Sequence, residues 1–261
     1  MKSNHRPNKS LGQNFLVDAR VQGRIVDSCL LKPEDTVVEI GPGQGAITSL
    51  ILPRVLKLIV IEKDRLLASE LKKNYYESHL EIIEGDFLKW DMSVLPEGLV
   101  VVGNIPYYIS TPIIEKILQH KDKIKRAYLT VQLEFGERLA AKAGTREYGS
   151  LSCFVQYYAD VKLLFKISPG SFHPQPKVHS CFMSLTLKDR PEVQAKDEEK
   201  LFALIQKSFM QRRKTIANSL KGVTEQEQLL EIFKKLNIDP QSRPEELTLL
   251  NYIAISNLLM V

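Results

Sequence analysis

Residues 36–45 read Thr36-Val-Val-Glu39-Ile40-Gly41-Pro-Gly43-Gln-Gly45. The β-branched, apolar run from Thr36 to Ile40 reads as a buried strand, and the glycine-rich stretch behind it as the turn that ends the strand. Residues 46–54 then carry a helical pattern. Outward from this unit the alternation continues: strands at 58–61, 80–83, 99–102 and 127–131, with helices at 65–76 and 112–120. Short apolar strands alternating with helices predict a mainly parallel sheet covered on both faces, a doubly wound α/β domain.

The pattern changes after about residue 185. Lys188-Asp-Arg-Pro-Glu-Val193 is a polar connector containing proline, and beyond it Leu201, Leu204, Ile205, Ser208 and Phe209 recur with the 3.6-residue period of a helix. Further helical stretches fall at 225–236 and 246–259. The reading is a sheet domain over residues 1–187 and a small all-helical domain over 188–261.

Composition narrows the function classes. The chain has 261 residues, 44% hydrophobic and 26% charged, with 36 Lys and Arg against 31 Asp and Glu, a net charge of +5. Apolar runs such as 99–102 fall far short of the ~20 residues that a membrane-spanning helix needs. The N-terminal stretch MKSNHRPNKSLGQNF is basic and polar with no apolar segment behind it, unlike a secretory signal, so a cytoplasmic protein without membrane association is expected. Cys29, Cys153 and Cys181 are too widely spaced for a disulfide framework or a zinc site, and the histidines form no metal-ligand spacing. Reduced thiols and no metal are expected. Net charge alone names no partner, so the placement of charge must.

The glycine turn has the spacing G-x-G-x-G, which departs from the dinucleotide pattern, and no Lys-Ser/Thr follows as in a phosphate-binding loop. By itself such a turn is as often structural as functional. Glu62, however, ends the second strand, where a carboxylate can accept hydrogen bonds from both hydroxyls of a ribose; a solvated capping acid is the alternative reading, and the favoured one for Asp64. Asp86 closes the third strand, placed to accept from an adenine amino group. Three strand ends in register point to one adenosine-containing ligand. With no phosphate grip, S-adenosylmethionine fits better than NAD or ATP.

Gly103-Asn104-Ile105-Pro106-Tyr107-Tyr108 follows the fourth strand. The amide oxygen of Asn104, with the carbonyl of Ile105 or Pro106, can accept both hydrogens of an exocyclic base amine and leave its lone pair facing an electrophilic methyl. Pro106 fixes the local backbone, and Tyr107 offers a flat face to a base taken out of its helix. No general base is needed before attack, because the proton can leave after methyl transfer. An isolated Asn-x-Pro-Tyr is about as often a turn with a buried aromatic; its position at the carboxyl end of a strand beside the ligand crevice favours the functional reading.

Asn104-Ile-Pro106-Tyr107 is similar to the signature of adenine-specific amino-methyltransferases, and nearly the whole chain resembles the ribosomal RNA adenine dimethyltransferases, in particular the small-subunit type. Lys9-Ser-Leu-Gly12-Gln13-Asn14-Phe15-Leu16 resembles that family's N-terminal signature and Phe172-His-Pro174-Gln-Pro176-Lys177-Val178-His-Ser180 its F-x-P-x-P-K-V-x-S segment. The resemblance implies a Rossmann-like methyltransferase fold in which S-adenosylmethionine contacts Asn14, Leu16, Gly41, Glu62, Asp86 and Asn104. It further implies a catalytic set of Asn104, Pro106, Tyr107 and Phe172, with Asn104, Tyr107 and Phe172 holding the target base. Departures are small: Ala46-Ile47-Thr48 where a Leu often precedes the Thr, and His179 where an acid is common.

Gln211-Arg212-Arg213-Lys214-Thr215, followed by Asn218-Ser-Leu220, resembles a further family segment. By that likeness Lys9, Arg212, Arg213 and Lys214 would contact RNA phosphates, with Arg138, Arg146 and Lys177 as possible extensions of the footprint. The implied activity is dimethylation of two adjacent adenosines near the 3′ end of 16S ribosomal RNA in the small subunit, by a monomer acting late in subunit biogenesis. Two alternatives remain at this stage. One is a large-subunit enzyme of the erythromycin-resistance type, which generally lacks the R-R-K-T run and the pattern seen at Asn237-Ile-Asp-Pro-Gln-Ser-Arg243. The other is a noncatalytic assembly factor on the same fold.

Overall fold

The computed structural model describes residues 7, 8 and 11–259. In chain order the elements are β1 (Phe15–Leu16), α1 (Ala19–Ser28), β2 (Thr36–Ile40), α2 (Thr48–Ile51), β3 (Lys57–Glu62), α3 (Arg65–Asn74), β4 (Leu80–Glu84), β5 (Leu99–Asn104), α4 (Ser110–Gln119), β6 (Ile124–Gln132), α5 (Leu133–Ala140), α6 (Ser150–Tyr158), β7 (Ala159–Ile167), β8 (Phe172–His173) and β9 (Ser180–Leu187). They continue with α7 (Glu198–Met210), α8 (Ile216–Ser219), α9 (Gln226–Lys235) and α10 (Leu249–Leu258). No helix among the described residues is long and apolar enough to cross a membrane.

The chain divides into two compact units. Residues up to Gly136 together with Ala159–Asp189 form one, and Glu137–Tyr158 together with the residues from Arg190 onward form the other. The first holds a seven-stranded sheet in the order β4-β3-β2-β5-β6-β9-β7. Neighbours from β4 to β6 are parallel, whereas β9 runs antiparallel to both β6 and β7. The inner parallel strands β3 and β5 have apolar middles because helices cover both faces of such a sheet: Leu58 to Ile61 and Leu99 to Val102 are all buried. On one face Val37, Leu58, Val60, Val100 and Val102 pack with Ile25 and Ile51. Helix entry is set locally, since the carboxylates of Asp18 and Asp64 cap α1 and α3 by accepting from backbone N–H groups.

The mainly parallel α/β class and the elements from β2 to β6 agree with the sequence pattern. The predicted helix over 46–54 is shorter, being α2 followed by a single 3-10 turn at Leu52–Arg54. The segment 137–158 differs from the expected division. Tyr148, Cys153 and Tyr157 bury their side chains among Leu201, Ile205 and Phe233, so this stretch packs with the C-terminal helices rather than with the sheet. Tyr157 meets Phe202 edge-on, 5.5 Å between ring centroids.

Glu39 is the one acidic side chain pointing into the interior from β2, at 1% exposure. Its Oε2 accepts a 2.8 Å hydrogen bond from the Thr48 hydroxyl, while Oε1 is without a partner. Desolvation pushes its pKa from 4.5 up to about 8, against the lowering effect of the Thr48 bond. A carboxyl with a raised folded pKa holds its proton more tightly when folded, so it lowers stability progressively as pH climbs from 4.5 to about 8. Glu39→Gln, which does not titrate, is therefore expected to gain stability relative to the wild type across that window. Urea unfolding at stepped pH values measures it, and parallel curves for the two proteins would contradict the assignment.

A second outcome concerns close packing. A Cβ at Gly136 would lie 2.4 Å from Cys181 Sγ and 3.0 Å from Leu163 Cδ2. Gly136→Ala is expected to cost about 1–3 kcal/mol by overpacking, outweighing the ~1 kcal/mol that alanine gains in a helix. Adding Cys181→Ala in that background is expected to recover part of the loss in chemical denaturation.

Candidate active site

β2 and β5 are neighbours, and on leaving β2 the chain winds to β3 and β4 on one side before β5 and β6 fill the other. A crevice forms outside the carboxyl ends of the strands where the winding direction changes. The open cleft found there has an empty volume of about 1100 Å³ including its mouth, and is lined by residues from 11–16, 40–47, 61–67, 85–88 and 104–113.

The glycine turn makes the first wall. Gly41 and Gly43 adopt φ of +64° and +59°, a region that favours glycine, and the Gly41 N–H donates to Ile61 O at 3.0 Å. A Cβ built on Gly41 would meet no atom within 4 Å, so the backbone here stands open to a ligand. Glu62 organises the turn: its Oε2 accepts from Gly43 N–H at 3.0 Å and its Oε1 from Asp64 N–H at 2.8 Å. Desolvation raises the Glu62 pKa, opposed by these backbone bonds. An ionised carboxylate has about four acceptor positions, so these backbone donors do not exhaust it.

The second wall follows β4. Asp86 accepts from Leu88 N–H through Oδ1 at 3.0 Å and from Lys63 Nζ through Oδ2 at 2.9 Å. Desolvation raises its pKa, but the Lys63 and Leu88 bonds outweigh it and hold the carboxyl below its ordinary value.

The third wall is the segment after β5. Asn104 Nδ2 donates to the backbone oxygen of Asn14 at 2.9 Å, which leaves Oδ1 as the amide's acceptor end. Pro106 O already accepts from Ile109 N–H at 3.2 Å and from the Ser110 hydroxyl at 3.5 Å. The Tyr107 hydroxyl pairs with Ser180 Oγ at 2.6 Å, and burial raises its pKa. Asn14, Leu16, Gly41, Glu62, Asp86, Asn104, Pro106 and Tyr107 thus all line one cleft.

The remaining expected residues lie away from the cleft or outside the described residues. Phe172 is 3% exposed, pairs across from Leu16 in the two-stranded β1–β8 sheet, and packs into the core rather than lining the cleft. Arg212 is held in place: its Nη2 donates to Arg146 O at 2.9 Å and Tyr148 O at 3.0 Å, and its guanidinium lies 5.9 Å from the Phe209 ring centroid. Arg213 and Lys214 are exposed beyond the end of α7. Lys9 lies outside the described residues. Sequence reasoning passed over Gln13, which donates to Asp64 Oδ2 at 3.0 Å, and Tyr108, which lines the cleft with its ring against Gly12. Both sit inside quoted motifs, which was the available signal. Among the described residues no group of three or more His, Cys, Asp or Glu could hold a metal ion.

Comparison with known proteins gives the family and the fold. The model of the family described as Ribosomal RNA adenine dimethylase matches residues 4–260. The protein named Ribosomal RNA small subunit methyltransferase A in Acinetobacter baylyi is 43% identical over 258 residues, covering 97% of this chain and 92% of that one. Its namesake in Geobacter metallireducens is 39% identical over 98% of this chain and 96% of that one. Among solved structures, a dimethyladenosine transferase from Plasmodium falciparum superposes with a TM-score of 0.81 at 27% identity, covering 92% of this chain and 95% of that one. The 23S rRNA methyltransferase ErmE shares the fold, with a TM-score of 0.78 at 24% identity over 95% of this chain and 100% of that one. With a family match across nearly its full length and relatives at 39% and 43% identity over the same span, the chain belongs to the ribosomal RNA adenine dimethylase family.

Proposed function

We propose that this protein transfers methyl groups from S-adenosylmethionine to the exocyclic N6 amines of two adjacent adenosines near the 3′ end of 16S ribosomal RNA. It would do so within the small ribosomal subunit, as a cytoplasmic monomer, late in subunit biogenesis. The observation that carries the reading is the meeting, in one cleft, of a glycine turn held by Glu62 with Asn104, whose amide is fixed by Asn14. The names of the curated relatives support the small subunit over the large one.

The donor set fits the cofactor. The free acceptor positions of Glu62 suit a ribose diol, those of Asp86 suit an adenine amino group, and the open backbone at Gly41 admits the methionine part. When bound, S-adenosylmethionine supplies a sulfonium methyl. The chain's own residues orient the acceptor. Asn104 Oδ1 takes one amine hydrogen, and the Ile105 carbonyl is the second acceptor, since Pro106 O is already engaged by Ile109 and Ser110. With both hydrogens held, the nitrogen lone pair faces the methyl, and the extra proton leaves after transfer. Tyr107, its hydroxyl anchored on Ser180, stacks on the extruded base. With Phe172 in the core of this structure, that stacking falls to Tyr107. Catalysis rests on proximity and orientation, with no general base.

The sheet unit would carry the chemistry and the helical unit would dock RNA. Arg213 and Lys214, together with Lys9, would contact phosphates, whereas Arg212 mainly braces the loop at 146–148. A noncatalytic role is disfavoured by the intact cleft.

Incubation with labelled S-adenosylmethionine and immature small subunits tests the reading. With cofactor saturation checked by calorimetry, Asn104→Ala is expected to lower methyl transfer at saturating cofactor about 100-fold, the scale of a misplaced reactant. Undiminished transfer would remove Asn104 from the mechanism. In RNA binding at several salt concentrations, Arg213→Ala and Lys214→Ala are each expected to lower the slope of log K against log salt by about 1, uniformly across sequences.

A further inference from the structure

α4 starts directly behind the acceptor motif and buries one face, including Ile113, Lys116 and Ile117. A lysine on that face needs explanation, because a buried ammonium is costly unless acceptors replace its water. Lys116 is only 9% exposed, and it has such acceptors: Nζ donates to Leu88 O at 3.1 Å and to Trp90 O. It also lies 5.4 Å from the centroid of the Phe87 ring.

These partners belong to a single turn. Lys89 N–H and Trp90 N–H both donate to Asp86 O, at 2.9 and 3.0 Å, and Leu88 N–H donates to the Asp86 carboxylate. A turn wound this way leaves carbonyls at its far end without partners inside it, and a cation there is favourable. Lys116 supplies that cation. Asp86, Phe87 and Leu88 line the cleft and Lys116 does not, so its ammonium acts behind the wall. At the start of the same helix the Ser110 hydroxyl bonds Pro106 O, and Ile113 lines the cleft. One helix is thus tied to the acceptor motif at its start and to the Asp86 turn further on.

We propose that Lys116 is a positioning residue that holds the Asp86–Trp90 turn in the shape receiving the adenine of the cofactor, so that its loss weakens cofactor binding while leaving the transfer step nearly intact. The proposal rests on the reading of the cleft as an S-adenosylmethionine site. A residue of merely structural importance would lower folded protein or affect both kinetic constants alike. A residue acting through the adenine turn should separate them.

The test compares wild type, Lys116→Met and Lys116→Arg by calorimetric titration with S-adenosylmethionine and by steady-state methylation of small subunits. Trp90, the single tryptophan of the chain, reports the turn by fluorescence in the same samples. Lys116→Met is expected to raise Kd and KM for the cofactor about tenfold, the scale of one or two lost charge-assisted bonds, with kcat at saturation changed less than about twofold. Lys116→Arg, which keeps charge and donors, is expected to restore most of the affinity, and Trp90 emission should shift in the Met variant alone. If Lys116→Met does not fold, Lys116→Gln, which keeps N–H donors without the charge, is expected to show the same split at smaller size. Unchanged cofactor affinity in the folded variant, or a fall in kcat at unchanged Kd, would overturn the proposal. Failure of the wild type to bind S-adenosylmethionine would overturn the reading of the cleft and this proposal with it; wild-type binding matched by the variant overturns this proposal alone.

Discussion

Ile40 and Gly103 lie opposite one another where β2 and β5 pair in parallel, and the site depends on that approach. A Cβ at Gly103 would sit 3.1 Å from Ile40 Cβ, Ile40 O and Ile105 Cγ2, tighter than side chains normally meet. Glycine at this position lets the two strands keep their spacing up to their carboxyl ends. The chain changes winding direction between these strands, so the turn that leaves β2 and the segment that leaves β5 open onto the same crevice. A cleft with a donor side and an acceptor side follows from that topology.

Within the crevice, hydrogen bonds between distant parts of the chain replace mobile water with fixed dipoles. Glu62 spans the glycine turn and the entry to α3, Asn14 holds Asn104, and Ser180 holds Tyr107. Apart from the local Glu62–Asp64 bond, each pair joins residues distant in sequence, so its geometry is set by the folded sheet and not by local chain preference. Rigid placement of this kind suits a reaction that needs only a lone pair and an electrophilic carbon brought into line. The buried Glu39 at the end of β2 is only partly satisfied, with one oxygen held by Thr48 and the other without a partner.

Much of this was legible in the sequence because the parallel core writes itself plainly: strands buried on both faces are mostly apolar runs, and a glycine-rich turn marks where the first one ends. β7 and β9 were not legible. β7 mixes Asp160, Lys162 and Lys166 into an edge strand with a register shift near Leu163, and β9 hides Ser180 and Ser184 among its apolar residues. Tyr148, Cys153 and Tyr157 announce burial but not the partner, so the stretch 137–158 was assigned with the sheet although it packs among the later helices. The same limit applies to single side chains. An aromatic in a motif reads alike whether it faces the cleft, as Tyr107 does, or the core, as Phe172 does. A basic triplet does not reveal that Arg212 is pinned by two carbonyls, and Lys116 reads as an ordinary helix lysine.

If one cleft brings a cofactor methyl to adenine amines of small-subunit RNA, with Asn104 aiming the acceptor, the modified bases must lie in that RNA. Reverse-transcription mapping of modified adenines, after the purified protein has acted on unmethylated small and large subunits with S-adenosylmethionine, locates them. The expected result is two adjacent modified adenosines near the 3′ end of 16S RNA and none in 23S RNA. Modification confined to 23S RNA, or no modification by a protein that demonstrably binds the cofactor, would contradict it.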